Sequence, residues 1–351
     1  MTRRTRRQFL QQATASSAVA ALVANGTRRL AATQVAGASP WRLRIGLELY
    51  TVRDRLATDF EGTLAKVAEI GYTEIEPTSY NDMPPKAFRA MLDRLKLTMP
   101  STHAPARGNG ADLERQLEGF QSMGIKYTEI RSTAPGTANT ATVASDRRRP
   151  ATLPPGGYFD AGSGRVRNAF KETEAFGPYQ PAVSLDTIKR RAAQLNADGR
   201  IAQKYGMKVL VHNHTGEFEQ LSDSPRTSFD ILLAETDPAL VTIQLDLGWT
   251  YIAGVDPIAL FEAHPGRFEL WHVKDVFGLK TVSPSLGPNA RVSSMALVPV
   301  GTGHIDFAPV FAQASLAGLR HFQIEQDNAA AWGDSLAAAR VSYQNLAAML
   351  G

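Results

Sequence analysis

Short apolar runs alternate with longer amphipathic segments along most of the chain. The short runs have the length and composition of buried strands, whereas the longer ones repeat apolar residues with the period of a helix. The pattern predicts eight strands, over residues 44–50, 72–77, 97–103, 125–132, 207–214, 240–249, 267–275 and 321–326. It predicts a helix after each strand, over residues 60–71, 85–95, 111–124, 184–206, 228–236, 256–263, 307–318 and 334–350.

This alternation favours one architecture over its main rival. Strands that alternate with helices form parallel sheets, and the pattern contains no β-hairpin. Eight units over about 310 residues fit a closed barrel. An open doubly wound sheet would need a glycine-rich turn after the first strand, and that segment has no G-x-G-x-x-G. We therefore predict an α/β protein, a (β/α)8 TIM barrel with enlarged loops at 133–180 and 277–303.

The first 38 residues differ from the rest of the chain. A basic start is followed by an uncharged stretch over residues 8–27, and residues 36–38 form an A-x-A cleavage pattern. The string TRRQFL at 5–10 resembles a twin-arginine export signal, and its apolar part is too weak for a membrane span. We therefore predict a signal peptide and linker over 1–38 and one barrel domain over 42–351. The mature protein would be periplasmic or otherwise exported, with no stable membrane span.

The charge of the chain is concentrated in this signal. The formal net charge is +4, and residues 1–38 contain six arginines and no acidic residue. The remainder has 32 basic and 34 acidic residues, about −2, because six of the 38 basic residues are removed. No basic patch for nucleic acid is evident. The chain has no cysteine, so any metal site must use histidine and carboxylate ligands.

Polar side chains occur where the predicted strands end, the edge at which TIM barrels carry their active sites. Strands five and six end in His212 and Asp246, and strands seven and eight in His272 and Glu325. Any one of them could be an ordinary hydrogen-bond partner, but four consecutive strand ends are harder to explain in that way. A sulfur-free set of this kind suits Mn²⁺, Mg²⁺, Co²⁺ or Zn²⁺, so we predict a divalent metal site.

Further residues are predicted around that site. Strand side chains two apart share a face, which places His214 beside His212 and Lys274 beside His272. The residues predicted to handle protons are Glu325, His214, Lys274 and Glu217. The residues predicted to contact substrate are Tyr50, Glu76, His103, Trp249 and His304. A lone G-x-G at Gly301 and Gly303 is weak evidence for phosphate binding.

A resemblance to a known family rests on seven segments: GLELYTVRD (46–54), FEGTLAKVAEIGYTEIE (60–76), VHNHTGEFE (211–219), QLDLGW (244–249), HVKD (272–275), PVGTGHIDF (299–307) and EQD (325–327). They resemble the xylose-isomerase-like sugar phosphate isomerase/epimerase family, whose members are (β/α)8 barrels. The resemblance implies a divalent metal bound by Asp246, His272 and Glu325. Where many members carry a fourth ligand, a glutamate on strand five, this chain has His212.

The resemblance also implies the chemistry. In the family's epimerases the metal polarises a ketose, and two carboxylates on opposite faces exchange a proton through an enediolate. A proton beside a carbonyl is too weakly acidic for a carboxylate base unless the developing oxyanion is stabilised. Here Glu325 can serve one face, and the other is left to His212, His214, Glu217 or no residue. The leading hypothesis is a divalent-metal-dependent sugar isomerase/epimerase acting on a small keto-sugar.

Three alternatives remain. A single base could eliminate a group β to the carbonyl, which would make the protein a lyase that deglycosylates 3-keto-glycosides. A periplasmic sugar-binding barrel without chemistry is the second. The third, an abasic-site endonuclease, is disfavoured because seven histidines and the charge of the mature chain suit neither its metal ligands nor DNA. A homo-oligomer stays open.

Overall fold

The computed structural model describes residues 39–132, 183–279, 285–292 and 295–351, with the backbone of 158–160 and 165–167. Within these residues eight parallel strands form the predicted TIM barrel. The barrel strands are β1 Gly46–Glu48, β2 Glu74–Glu76, β3 Ser101–Arg107, β4 Tyr127–Arg131, β5 Lys208–His212, β6 Val241–Asp246, β7 Leu270–Val273 and β8 His321–Ile324. They are hydrogen-bonded in the order β2, β1, β8, β7, β6, β5, β4, β3.

A short contact closes the barrel between β2 and β3. Ile75 N donates to Thr98 O at 2.9 Å, and Thr98 N donates to Thr73 O at 3.0 Å. Further along, His103 N donates to Pro77 O at 3.0 Å. The carboxyl ends of all eight strands therefore surround a single opening.

Helices follow the strands and pack around them. The α-helices are Arg53–Leu56, Phe60–Ile70, Pro85–Leu95, Gly110–Met123, Leu185–Gln203, Ser228–Glu235, Leu247–Ala253, Pro257–Ala263, Pro288–Val292, Phe307–Ala312, Ala314–Ala317 and Ser335–Met349. Short 3-10 turns are Pro40–Arg44, Leu49–Val52, Gly216–Phe218 and Ala329–Trp332. The main core lies between strands and helices; for example, Phe261 stacks on Trp271 with ring centroids 5.1 Å apart.

Several predicted strands end earlier in the structure. The prediction that the sixth strand continues to Trp249 is wrong, because β6 ends at Asp246 and Leu247–Ala253 is a helix. Asp246 starts this helix: its Oδ1 accepts a hydrogen bond from Trp249 N at 2.8 Å. An aspartate that caps a helix ends the strand before it, since the capping side chain satisfies helical N–H groups.

The long loops contain antiparallel pairs that the sequence pattern did not predict. Asp275–Phe277 pairs with Ala296–Val298, and the backbone of Tyr158–Asp160 pairs with that of Arg165–Arg167. The expectation of a chain without β-hairpins is therefore wrong in these two loops. A local hairpin signal depends on a tight turn, and the first pair is separated by a long connection.

Some predictions fall outside the described residues. The signal over 1–38 lies there, as does most of the 133–180 loop, so both stay predictions. In the part of the chain that is described, no helix has the length and apolar character needed to cross a membrane.

Candidate metal centre

Four predicted ligand residues meet at the carboxyl ends of β5 to β8, and we call them the ligand cluster. His212 ends β5, Asp246 ends β6, His272 lies in β7 and Glu325 follows β8. Each offers one ligand atom, and these atoms all lie within 4.8 Å of one another. The structure thus brings together the residues selected from the sequence, while their role as ligands stays a prediction.

Two facing atoms of the ligand cluster, His272 Nδ1 and Asp246 Oδ2, are buried without a hydrogen bond in the described protein. His272 Nδ1 lies 2.8 Å from Glu325 Oε2, but the two atoms are not aligned as a hydrogen bond. Asp246 Oδ2, also buried without a hydrogen bond, lies 3.9 Å from both His272 Nδ1 and His212 Nε2. Buried polar atoms need partners, and a cation among these atoms would satisfy them together. The residues therefore fit a divalent metal.

The protonation of two cluster residues also suits a cation. Burial lowers the pKa of His212, and the neighbouring His272 and His214 lower it further. Burial would raise the pKa of Glu325, but Lys274 and His272 hold it well below its usual range. At neutral pH the cluster offers a neutral imidazole and an ionised carboxylate, which are the forms that bind divalent metals.

Glu76 fixes the orientation of the His272 ring. Its Oε2 lies 2.6 Å from His272 Nε2. Burial would raise the pKa of Glu76, but His103 and His272 lower it to about 2. An ionised carboxylate only accepts hydrogen bonds, so Nε2 carries hydrogen and Nδ1 is left for the cluster. Glu76 was also predicted to contact substrate; it is fully buried behind His272, and that prediction stays untested.

Protonation of His272 itself depends on its two carboxylate neighbours. Burial would lower its pKa, but Glu325 and Glu76 raise that pKa well above its usual value. Nδ1 therefore holds a proton wherever no metal ion takes its place. Metal and proton compete for this nitrogen, as they do for histidine ligands in general.

Backbone and side-chain contacts also fix Asp246. Asp246 N donates to Asn213 Oδ1 at 3.0 Å, while Oδ1 of Asp246 caps the following helix. One carboxylate oxygen is thus held by the helix, and Oδ2 is left for the cluster. Burial raises the pKa of Asp246, although Lys274 acts to lower it.

Lys274 brings a buried cation beside the ligand cluster. Its Nζ lies 2.6 Å from Asp327 Oδ2, 3.1 Å from Glu325 Oε2 and 3.2 Å from Asp246 Oδ2. Burial would lower its pKa, but Asp246, Asp327 and Glu325 raise it well above its usual value. The Trp249 ring, only 1% exposed, supports the ammonium with its centroid 4.8 Å from Nζ. Trp249, predicted to contact substrate, thus packs beneath Lys274.

Gly248 allows the helix after β6 to approach Lys274. A Cβ atom at this position would lie 2.7 Å from Lys274 O and 2.8 Å from Lys274 Cβ. Real Cβ atoms essentially never come so close to other heavy atoms. The glycine therefore sets the distance between this helix and the end of β7.

Two other predicted histidines adjoin the ligand cluster. The His103 ring lies with its centroid 5.1 Å from those of His212 and His272, and the His214 ring lies 4.8 Å from that of His212. Glu217, predicted to handle protons, accepts a hydrogen bond at Oε2 from His214 N at 2.8 Å. In this arrangement Glu217 holds the turn after β5.

Tyr50 and His304 pack against neighbouring loops. The Arg53 guanidinium carbon lies 3.9 Å from the centroid of the Tyr50 ring. His304 accepts at Nδ1 from Gly278 N at 3.1 Å, and its ring centroid lies 4.5 Å from that of Phe277. Both were predicted to contact substrate, and nothing in these contacts tests that role.

Sequence reasoning missed two buried residues of the site. Gln244 Nε2 donates to both carboxylate oxygens of Glu76 at 2.9 Å. Glu48 accepts from Tyr50 N at 2.6 Å, and burial together with Glu325 raises its pKa well above its usual value. The sequence could have indicated Gln244 as a site residue, because it lies two residues before Asp246 and their side chains share one face of the strand.

The backbone N–H groups of the G-x-G loop donate hydrogen bonds to an aspartate of the same chain. Asp275 Oδ2 accepts from Gly301 N at 2.9 Å and from Gly303 N at 2.8 Å. Asp275 Oδ1 accepts from Val276 N and Ile305 N. The backbone N–H groups that suggested phosphate binding therefore bind a side chain of the same chain.

Fold and site together define a (β/α)8 barrel with a sulfur-free group of potential metal ligands at its carboxyl-terminal opening. The family model described as "Xylose isomerase-like TIM barrel" matches residues 64–340. The chain belongs to this family, and the resemblance seen in its motifs is confirmed.

Relatives with curated names cover part of the chain. An inosose dehydratase of Clostridium tetani is 30% identical over 161 residues, 43% of this chain and 52% of that protein. An inosose dehydratase of Lactiplantibacillus plantarum is 36% identical over 121 residues, 33% of this chain and 39% of that protein. The chain thus spans about half of the length of the first relative.

Solved structures share the fold at lower identity. A sugar phosphate isomerase/epimerase from Parabacteroides distasonis has a TM-score of 0.57 at 18% identity, covering 90% of this chain and 95% of that one. IOLI protein with a bound zinc atom has a TM-score of 0.53 at 12% identity, covering 88% and 98%. A xylose isomerase-like barrel from Mycobacterium smegmatis in complex with magnesium has a TM-score of 0.53 at 15% identity, covering 88% and 96%.

Proposed function

We propose that this protein is a divalent-metal-dependent lyase that removes a group β to the carbonyl of a keto-sugar or cyclic keto-polyol. The reaction begins with loss of the proton next to the carbonyl, as an isomerisation or epimerisation also would. His212, Asp246, His272 and Glu325 would hold the metal. When bound there, a divalent metal would polarise the carbonyl and stabilise the negative charge that develops on its oxygen.

One observation carries the choice of a lyase: the acidic side chains near the ligand cluster already have other partners. In the described residues Glu76 contacts His272, Asp327 contacts Lys274, and the raised pKa of Glu48 favours its neutral form. Epimerisation between two carboxylates needs one on each face of the substrate. Glu217 in turn accepts from His214 N. With an imidazole at the end of β5, each of these described carboxyl groups is therefore already engaged or disfavoured as the base for the second face.

Lys274 supports the same reaction. Its ammonium lies beside two cluster carboxylates and is held by Asp327. A buried cation in that position can donate a hydrogen bond to a substrate oxygen on which negative charge develops. The curated relatives named inosose dehydratase favour elimination as well. We therefore favour loss of water from an inosose-like ketone over rearrangement.

The motif resemblance favours an isomerase or epimerase instead of a lyase. One experiment distinguishes these two activities from sugar binding without catalysis. The protein is loaded with zinc, magnesium, manganese or cobalt and incubated in D₂O with inosose and with 3-keto-glycosides. Loss of water or of an aglycone, followed by mass spectrometry, supports the lyase. Deuterium on an unchanged skeleton overturns it in favour of the isomerase. Sugar binding without any conversion or deuterium uptake overturns both.

A pair of variants tests the site itself. Glu325→Gln should lower kcat by about 100-fold or more, because it removes a charged member of the ligand cluster. His264→Gln changes a histidine next to Pro265 in a loop away from the cluster and should leave kcat unchanged. Full turnover by Glu325→Gln would contradict the assigned site.

We also propose that the mature protein acts outside the cytoplasm. The proposal is supported by the TRRQFL string and the small-residue segment that follows it. An exported enzyme would act on unphosphorylated sugars or glycosides, since phosphorylated metabolites are mainly cytosolic.

A further inference from the structure

Gln244 links Glu76 to His103 inside the barrel. Its Nε2 lies 2.9 Å from both oxygens of Glu76, and its Oε1 lies 2.6 Å from His103 Nε2. The opposite orientation of the amide would place a carbonyl oxygen against a carboxylate, which repels it. Glu76 thus fixes which end of the amide faces His103.

The fixed amide determines the tautomer of His103. An amide oxygen only accepts hydrogen bonds, so His103 Nε2 must be the donor. Glu76 lies farther from this nitrogen, with 3.6 Å between Oε2 and Nε2. In the neutral ring the lone pair therefore lies on Nδ1. Among the described residues no hydrogen bond engages His103 Nδ1, and 16% of the side chain is exposed.

His103 lies across the opening from Lys274. In the closed barrel β3 is four strands from β7 in either direction, so His103 stands opposite Lys274. Its ring centroid is 5.1 Å from those of His212 and His272, which places it next to the ligand cluster. A substrate bound at the cluster would lie between a buried cation on one side and an available imidazole lone pair on the other.

We propose that His103, held in one tautomer by Gln244 and Glu76, is the base that removes the substrate proton. This assignment rests on the proposed function. The C–H bond next to the carbonyl breaks, its proton goes to His103 Nδ1, and its electron pair forms an enolate. The enolate then reforms the carbonyl and a C=C bond as the β hydroxyl leaves. That hydroxyl takes the proton from Nδ1 and departs as water, which returns His103 to its starting state.

The tautomer can be measured without substrate. Protein with ¹⁵N-labelled histidine is loaded with zinc, and long-range ¹H–¹⁵N correlation identifies the protonated nitrogen of each ring. The His103 signals are assigned by their loss in His103→Gln. We expect hydrogen on Nε2 and none on Nδ1. A His103 ring protonated only at Nδ1 would overturn the proposal.

Gln244 and Gln323 provide a matched pair for the positioning step. Both are fully buried glutamines inside the barrel, but Gln323 donates to Ser101 Oγ at 3.3 Å instead of contacting His103. Gln244→Leu should replace the single His103 tautomer by a mixture, whereas Gln323→Leu should leave it unchanged. An unchanged tautomer in Gln244→Leu would show that Gln244 does not position the ring.

Turnover and metal content test the base itself. His103→Gln keeps an N–H that can donate to Gln244 but has no basic nitrogen. With inosose as the probe, kcat should fall by about 100-fold or more, with a smaller change in KM. Zinc content should stay at the wild-type level. Zinc loss would overturn the proposal, because His103 with His212 and His272 also forms a group that could bind metal.

These experiments distinguish a wrong assignment of His103 from a wrong proposed function. If wild type converts inosose and His103→Gln converts it equally fast, the assignment of His103 is wrong while the lyase function stands. If wild type converts no keto-sugar, the proposed function is wrong and His103 loses its role as base with it. The tautomer measurement decides in either case whether Gln244 and Glu76 fix the ring.

Discussion

His212 is the residue that most separates this site from the family pattern. Where the motif resemblance implies glutamate, β5 ends in an imidazole whose pKa is lowered by burial and by neighbouring histidines. Neutral imidazole prefers zinc and other later transition metals, whereas carboxylates suit magnesium and manganese. One substitution at a strand end should therefore influence which metal the site holds.

We expect His212→Glu to shift metal preference from zinc towards magnesium and manganese by about tenfold, because a charged oxygen ligand replaces a nitrogen. Competition between the metals, followed by elemental analysis of the protein, measures the shift. His214→Ala is the control, since His214 adjoins the cluster without belonging to it. An unchanged zinc-to-magnesium ratio in His212→Glu would argue that His212 is not a ligand.

Between β6 and the next helix, local structure determines the geometry of the site. Asp246 ends the strand, caps the helix with one oxygen and leaves the other for the cluster. Gly248, two residues later, lets that helix approach Lys274 closely. The positions of Asp246 and Lys274 are therefore set by the same turn.

Gly248→Ala should destabilise the protein by about 1–3 kcal/mol, because the new Cβ would overlap Lys274. Alanine in place of glycine within a helix normally stabilises a protein by about 1 kcal/mol. A loss of stability in Gly248→Ala would therefore point to the close contact with Lys274. Urea unfolding measures the difference. Gly287→Ala is a suitable comparison, because among the described residues its Cβ would meet Glu219 side-chain oxygens at the ordinary contact distances of 3.5 and 3.7 Å. A Gly248→Ala protein as stable as wild type would mean that the close contact does not matter.

The polar residues at the strand ends could be identified from the sequence, whereas the hydrogen bonds between side chains inside the barrel could not. Periodicity located the barrel strands, and the rule that TIM barrels work at their carboxyl ends selected the ligand cluster. Gln244 and Glu76 are different, because a polar residue within a strand can face solvent, a helix or the barrel interior. Only the closed barrel brings β2, β3 and β6 into contact across its centre. The helix that begins at Leu247 was missed because its apolar residues continue the pattern of β6.

At the scale of the whole molecule, the predicted signal over residues 1–38 differs in charge from the rest of the chain. The six arginines of residues 1–38 account for the excess of basic residues in the chain. Twin-arginine export carries folded proteins, so a barrel that takes up its metal before export would be compatible with this route.

Replacing Arg6 and Arg7 by lysines should reduce the periplasmic fraction of the protein to about a tenth or less, because the twin-arginine signal depends on that pair. Cell fractionation followed by immunoblotting in a bacterium with twin-arginine export measures the distribution. The Arg3 and Arg4 pair, replaced in the same way, tests whether positive charge alone matters. Equal export of both variants and wild type would exclude the predicted signal.

Asp275 has a consequence for the substrates that this barrel can accept. In many TIM barrels the loops after the seventh and eighth strands bind a phosphate group through backbone N–H groups. Here the glycine loop that follows β7 already surrounds the carboxylate of Asp275. The chain carries its own anion in that place, so a sugar phosphate would meet negative charge where it needs donors. We therefore expect the site to prefer neutral substrates over phosphorylated ones.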